Sequence, residues 1–388
     1  MRHGGLLLLA LVGCRDTVQP FEADHYGKLS DSAAVQLTFN LKPDQAPVWS
    51  PDGDTVYYTA ESFPGIPVIT GGVLLAVPRE GGPVRMLFPS IQLATTRSLF
   101  LTTPALTRDG KRIAFFELAL GALPTCDFFQ CSSPDTAFTQ PLLESARLRV
   151  RALDAVAGDD AALNVSFLGR DFDDTRSLPL GVQLLEDFPF QHRFTEYRQP
   201  AFRISWSPDG TRLVFSDGLR LWLWQPGQSA PTVIPSTEDG VWPAWSPDGQ
   251  WIAYTRLPRG TPTTITCNCI VVVNGRPNIA EIQERIVYGG WSSLGVLTLI
   301  RPDGSAIREL GTGEAPAWLP DNSALIVART QALWRINPDG SGASEIPNTK
   351  LGSSPSVSSD GRYLAFTRQN QRLNWDIWML RLSGGQTP

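Results

Sequence analysis

Apolar and polar positions alternate in six short stretches of this chain, and the same tight turn precedes each of them. The stretches read PVWSPDGDTVYY from Pro47, PALTRDGKRIAFF from Pro104, ISWSPDGTRLVF from Ile204, PAWSPDGQWIAY from Pro243, PAWLPDNSALIV from Pro316 and PSVSSDGRYLAF from Pro355. Glycine after the aspartate supplies the positive φ that closes a tight hairpin, and Asn322 takes that place in the fifth copy. Counted from that turn residue, the third position is Val56, Ile113, Leu213, Ile252, Leu325 or Leu364, and the fifth is Tyr58, Phe115, Phe215, Tyr254, Val327 or Phe366. An apolar side chain at both places in every copy has the period of two of a strand with a buried face. A unit repeated at this spacing predicts a propeller, a solenoid or an array.

Behind each hairpin a third strand is predicted, as in VLLAVPREGG from Val73, LRLWLWQPGQ from Leu219, VLTLIRPDGS from Val296, ALWRINPDGS from Ala332 and DIWMLRLSGG from Asp376. Weaker fourth strands follow, such as PVRMLF from Pro83 and AIREL from Ala306. Four antiparallel strands repeated radially make a β-propeller blade. The sixth unit stops after its third strand, so residues 35–40, VQLTFN, are expected to complete it and close the ring, which removes an exposed edge. The reading is an all-β, six-bladed propeller filling residues 35–388 as one domain. The 34 glycines and 32 prolines favour strands and turns, and 42% hydrophobic residues supply a core.

The W-S-P-D-G blocks at Trp49, Trp206 and Trp245, with looser copies at Leu106, Trp318 and Val357, resemble the TolB-like six-bladed propeller repeat. The resemblance covers roughly residues 35–388. It implies a WD-like repeat scaffold of the bacterial periplasm that works by protein binding.

Residues 1–14, MRHGGLLLLALVGC, place Arg2 before an apolar run that ends in Gly13 and Cys14. The run is shorter than the ~20 residues that span a bilayer, so residues 1–13 are expected to be a removable signal peptide. The Leu11-Val12-Gly13-Cys14 string resembles a lipobox, which makes Cys14 the candidate lipidation site and residues 14–34 a lipidated tether. Several acyl chains anchor a protein stably where one gives only marginal binding. The expected location is extracytoplasmic and membrane-anchored, in the periplasm, at the outer membrane or on the cell surface. Four further cysteines, Cys126, Cys131, Cys267 and Cys269, form an even set suited to disulfides in an exported chain. Cys126 with Cys131 is the favoured pairing, and cross-pairing between the two loops is the alternative. C-x4-C with C-x-C is not a usual zinc spacing.

The turn residues at 53, 110, 210, 249, 322 and 361 are as little as 39 residues apart, and the excess elsewhere falls in insertions at 61–72, 118–146, 170–199 and 257–295. All four follow second strands or join blades, so connectivity puts them on one face. Long loops on a rigid scaffold carry function. Phe128, Phe129, His192, Arg193, Tyr197, Tyr288 and Trp291 are the binding-face candidates there, since aromatic and arginine side chains anchor interfaces. Trp49, Trp206, Trp245 and Trp318 read instead as core, and Asp52, Asp109, Asp209, Asp248, Asp321 and Asp360 as turn formers.

Catalytic signals are thin. His25 and His192 stand alone outside the signal, and Ser292 lacks the second glycine of a nucleophile elbow. The acidic run at Asp171, Asp173 and Asp174 lacks the glycine and glutamate of a calcium loop. The net charge of −5 offers no basic stripe for nucleic acid. The expectation is therefore a non-catalytic scaffold for a protein or peptide of the cell envelope, with no cofactor and no metal. The alternative is an envelope enzyme acting on glycan or peptide at the propeller mouth.

Overall fold

The computed structural model describes residues 34–39, 43–60, 72–88, 98–121, 128–131, 142–155, 158, 160–165, 203–217, 220–257, 262–288, 295–330, 332–369 and 375–382. Their secondary structure is strands and turns. Strand β1 (Val35–Gln36) comes first in the chain but belongs to the last blade.

Blade one is β2 (Asp44–Trp49), β3 (Thr55–Ala60), β4 (Val73–Pro78) and β5 (Arg85–Met86). Blade two joins β6 (Ser98–Leu106), β7 (Arg112–Gly121), β9 (Leu142–Ala152) and β10 (Ala161–Asn164), with β8 (Phe128–Cys131) set apart from it. Blade three is β11 (Ile204–Trp206), β12 (Leu213–Ser216), β13 (Leu221–Trp224) and β14 (Thr232–Val233). In blade four, β15 (Gly240–Trp245) and β16 (Ile252–Arg256) continue into β19 (Val296–Ile300) and β20 (Ile307–Thr312). Between β16 and β19 runs a long hairpin of β17 (Pro262–Val273) and β18 (Arg276–Tyr288).

Blade five is β21 (Glu314–Trp318), β22 (Leu325–Arg329), β23 (Ala332–Ile336) and β24 (Ser344–Glu345). Blade six is β25 (Gly352–Val357), β26 (Tyr363–Gln369) and β27 (Trp375–Arg381), completed by β1. Val35 lies opposite Met379, and the Leu37 amide donates to the Ile377 carbonyl at 2.7 Å. The predicted ring closure is present over Val35–Leu37, and Asn40 of the predicted strand lies outside the described residues.

Each block of the repeat folds as its chemistry dictates. In blade three the Ser207 hydroxyl donates to Asp209 and accepts the Arg212 amide, while Asp209 accepts the Thr211 amide. The same aspartate-to-amide bond recurs at Asp52, Asp109, Asp248, Asp321 and Asp360. Gly210 holds φ +68° and Asn322 φ +61°, a backbone that asparagine tolerates better than most residues. The turn aspartates are structural, as their recurrence implied.

Among the described residues the core is not one cluster but a set of clusters that together fill all six interfaces between neighbouring blades. Val56 and Tyr58 face blade six, whereas Tyr57 faces blade two. Ile113 and Phe115 meet blade one while Ala114 and Phe116 meet blade three. The second strand of a blade is therefore buried on both faces, where its alternation alone predicted one. Of the four tryptophans read as core, all are buried. The indole N–H of Trp49, Trp206 and Trp318 donates to the preceding blade, at Ser356, Ala105 and Ala244, each at 3.0 Å. Arg112 and Arg212, two residues past their turn glycines, stack on Trp206 and Trp245 of the next blade.

Candidate functional site

Two features break the six-fold regularity. The first stands on the side of the second-to-third-strand loops. There β8, from the insertion of blade two, pairs with β17, from the insertion of blade four, in a three-stranded sheet ordered β18-β17-β8. Two of the four predicted insertions thus meet on one face. The other two, at 61–71 and 170–199, lie outside the described residues.

This sheet gathers several of the residues singled out in sequence. Phe128 lies opposite Ile270, Phe129 opposite Cys269, and Cys131 opposite Cys267, while Tyr288 ends β18 opposite Pro262. Cys14, Cys126, His192, Arg193, Tyr197 and Trp291 lie outside the described residues. At the hairpin tip Val272, Val273 and Ile279 are 48%, 50% and 57% exposed and lie within eight residues of one another, whereas Ile307 of β20 is a single exposed apolar residue of its blade. Among the described residues the outer edge of β18 pairs with no further strand.

The second feature is the axis of the ring. Ala46, Thr103, Trp242, Ala315 and Ser354 each precede a proline of an innermost strand and each hold φ between +47° and +51°. At each of them the register against the second strand shifts, which marks a β-bulge. Proline cannot donate to a ladder and is confined to edges and bulges, so Pro47, Pro104, Pro243, Pro316 and Pro355 were the sequence signal for this ring. Blade three has Ile204 in place of the proline and Arg203 before it. The Arg203 guanidinium crosses the axis to the carbonyls of Pro316 at 3.1 Å and Pro355 at 2.9 Å.

Below Arg203 lies a cavity of about 250 Å³ lined from blades one, two, three, four and six. Among the described residues its lining holds Arg108 and Arg203 and no Asp or Glu. Surrounding protein desolvates the half-buried Arg203 and pushes its pKa down to about 10, so the group stays charged at neutral pH. The carboxylates whose pKa shifts clearly lie elsewhere, in the turns. The Ser207 hydroxyl and Thr211 amide hold Asp209 below the usual range, as the Thr107 hydroxyl and Lys111 amide do Asp109. Among the described residues no three His, Cys, Asp or Glu side chains converge as a metal would require.

These blades and their closure define the class, a six-bladed β-propeller. No profile of a known protein family matches the chain. Similar solved structures include TolB from Acinetobacter baumannii, 13% identical with a TM-score of 0.46, over 81% of this chain and 57% of that one. This chain therefore spans little more than half the length of that TolB. A putative TolB from Agrobacterium tumefaciens is 12% identical with a TM-score of 0.46, over 89% of this chain and 92% of its own. An oligogalacturonate lyase from Vibrio parahaemolyticus is also 12% identical, with a TM-score of 0.44, over 91% and 81%.

Proposed function

We propose that this protein is a lipid-anchored, extracytoplasmic propeller that binds a protein or peptide of the cell envelope through its insertion face. The observation that carries the reading is the β18-β17-β8 sheet, built from two different blades and carrying an exposed apolar tip. Exposed apolar patches rimmed by polar residues mark interaction sites, and an unpaired strand edge accepts an extended peptide as a further strand. Anchoring through Cys14 would keep the face within reach of a membrane or wall component.

Within this reading Cys131 and Cys267 are joined. Their register positions are directly opposite in adjacent antiparallel strands, where Cα atoms stand ~4.5–5.5 Å apart, inside the span a disulfide bridges. That pairing replaces Cys126 with Cys131 as the preferred one. Peptide mapping without reductant is expected to yield a Cys131–Cys267 cross-link; recovery of Cys126–Cys131 instead would discard it.

The binding reading is tested by a photo-crosslinking residue at Val273 or Ile279 in intact cells, with the turn residue Gln250 as control. Cross-links to a discrete envelope protein from the hairpin positions, absent at Gln250, are expected. Equal labelling at all three would refute the insertion face. A Cys14→Ser variant is expected to leave the membrane fraction.

A further inference from the structure

Among the described residues the axial cavity combines a cation, an unsatisfied hydroxyl and a lining without counter-charge. Arg203 uses two of its five N–H donors on the Pro316 and Pro355 carbonyls. The other three have no acceptor among the described residues. Thr103, at the equivalent level of the neighbouring blade, is 3% exposed and lines the same cavity. Its hydroxyl has no hydrogen-bond partner. Buried polar atoms of a native fold are nearly always paired, and an orphan hydroxyl in a cavity that Arg203 also lines marks a place where a ligand supplies the acceptor.

Charge decides the sign of that ligand. The chain as a whole carries −5, yet among the described residues the cavity lining holds Arg203 and exposed Arg108 and no carboxylate. The bulged carbonyls around the axis are the part of the channel that would attract a cation, and the Arg203 guanidinium already occupies two of them. An anion entering the cavity gains the remaining fork of Arg203, a planar array matched to two oxygens of one ligand. It also relieves the burial of an uncompensated charge.

We propose that the axial cavity binds a small carboxylate, held by the free donors of Arg203 and the Thr103 hydroxyl, with Arg108 guiding its approach. A volume of about 250 Å³ lies at or below the small end of ligand pockets, which suits a short organic acid or the terminal carboxylate of a peptide. Arg108 belongs to a first-to-second-strand turn, on the face opposite the insertion sheet, so the site does not depend on the partner-binding reading.

Calorimetry on the purified protein with succinate, trialanine, trialanine amide and inorganic phosphate tests the assignment, with chloride matching the ionic strength. Succinate or trialanine is expected to bind where chloride does not. Binding of trialanine but not its amide would identify a peptide terminus as the source; binding of succinate alone would identify a free acid. Thr103→Val and Arg108→Gln, which leave the Arg203 bonds intact, are each expected to weaken binding severalfold. Arg203→Gln is expected to weaken it by at least about tenfold, the loss of a charge-assisted hydrogen bond. No carboxylate binding above chloride, tighter binding of phosphate than of either carboxylate, or unchanged affinity in Thr103→Val and Arg108→Gln would each overturn the proposal.

Discussion

The ring of blades and the insertion sheet are both antiparallel β structure, yet they are held together in different ways. In the ring every second strand is covered on both faces by neighbouring blades, and indole N–H bonds tie one innermost strand to the next. The insertion sheet rests on its backbone ladder, and its tip exposes Val272, Val273 and Ile279. Hydrophobic stabilisation scales with apolar area taken out of water, so stability resides in the ring. The sheet is then free to vary in sequence without unfolding the molecule, which is the property a recognition surface needs.

The largest effect expected from this division is at Trp318. It is buried between blades four and five, and its indole donates to the Ala244 carbonyl. Trp318→Ala opens a cavity there and orphans that carbonyl, a loss of about 3–5 kcal/mol, read as a lowered midpoint of denaturant unfolding. A loss below about 1 kcal/mol would mean that the blades do not share their cores as described.

Next in size is the turn backbone. Gly210 holds φ +68°, and the nearest atom an added Cβ would meet is Thr107 Cγ2 at 3.5 Å, an ordinary contact. Strain in Gly210→Ala is therefore conformational, about 1–2 kcal/mol. Gly210→Asn should lose less, because blade five already runs the same turn on Asn322. Equal losses in the two variants would point to crowding instead of backbone strain.

A smaller effect, with its own pH signature, follows from the serine that braces the turn. Ser207→Ala removes the bond to Asp209 and leaves the Arg212 amide without its acceptor, about 1 kcal/mol. The Ser207 hydroxyl holds the folded-state pKa of Asp209 below its unfolded value. Stability from such a carboxylate is complete above the unfolded value of 3.8 and is lost as pH falls through the lowered folded one. Asp52 and Asp109 add to it in the same direction. Thermal midpoints of the wild type should hold steady between about pH 5 and 7 and fall below about pH 4, and Ser207→Ala should fall less steeply over the acid range.

The same division separates what was legible in the sequence from what was not. The turns and second strands were readable because each is local: a serine, an aspartate and a glycine within four residues, then apolar positions two apart. Closure by residues 35–40 was readable too, since the sixth unit lacked a strand and one was left over. Burial of Tyr57 and Ala114 on the second strand face was missed, because it depends on the blade alongside. The pairing of Phe128–Cys131 with β17 joins segments more than a hundred residues apart, and no spacing rule reports it. Arg203 was overlooked for the same reason: nothing near it in sequence shows that it reaches Pro316 and Pro355. The prolines that open five of the six repeats were an unread local clue, since they mark the bulges around the axis.

The smallest effect expected on stability is also the sharpest test of the comparison. Val273 and Ile279 are half or more exposed on a hairpin that lies outside the interblade cores. Val273→Ser and Ile279→Ser should therefore change the unfolding midpoint by no more than about 0.5 kcal/mol, the usual range for surface substitutions. If the tip is the docking surface, the same two changes should cut cross-linking to the envelope partner severalfold, since truncating a central contact of an interface commonly costs more than about 1 kcal/mol. A variant that destabilised the ring by as much as Trp318→Ala would show the hairpin to be part of the core. A variant silent in both assays would remove the tip from the binding face and leave β8 and the outer edge of β18 to carry it.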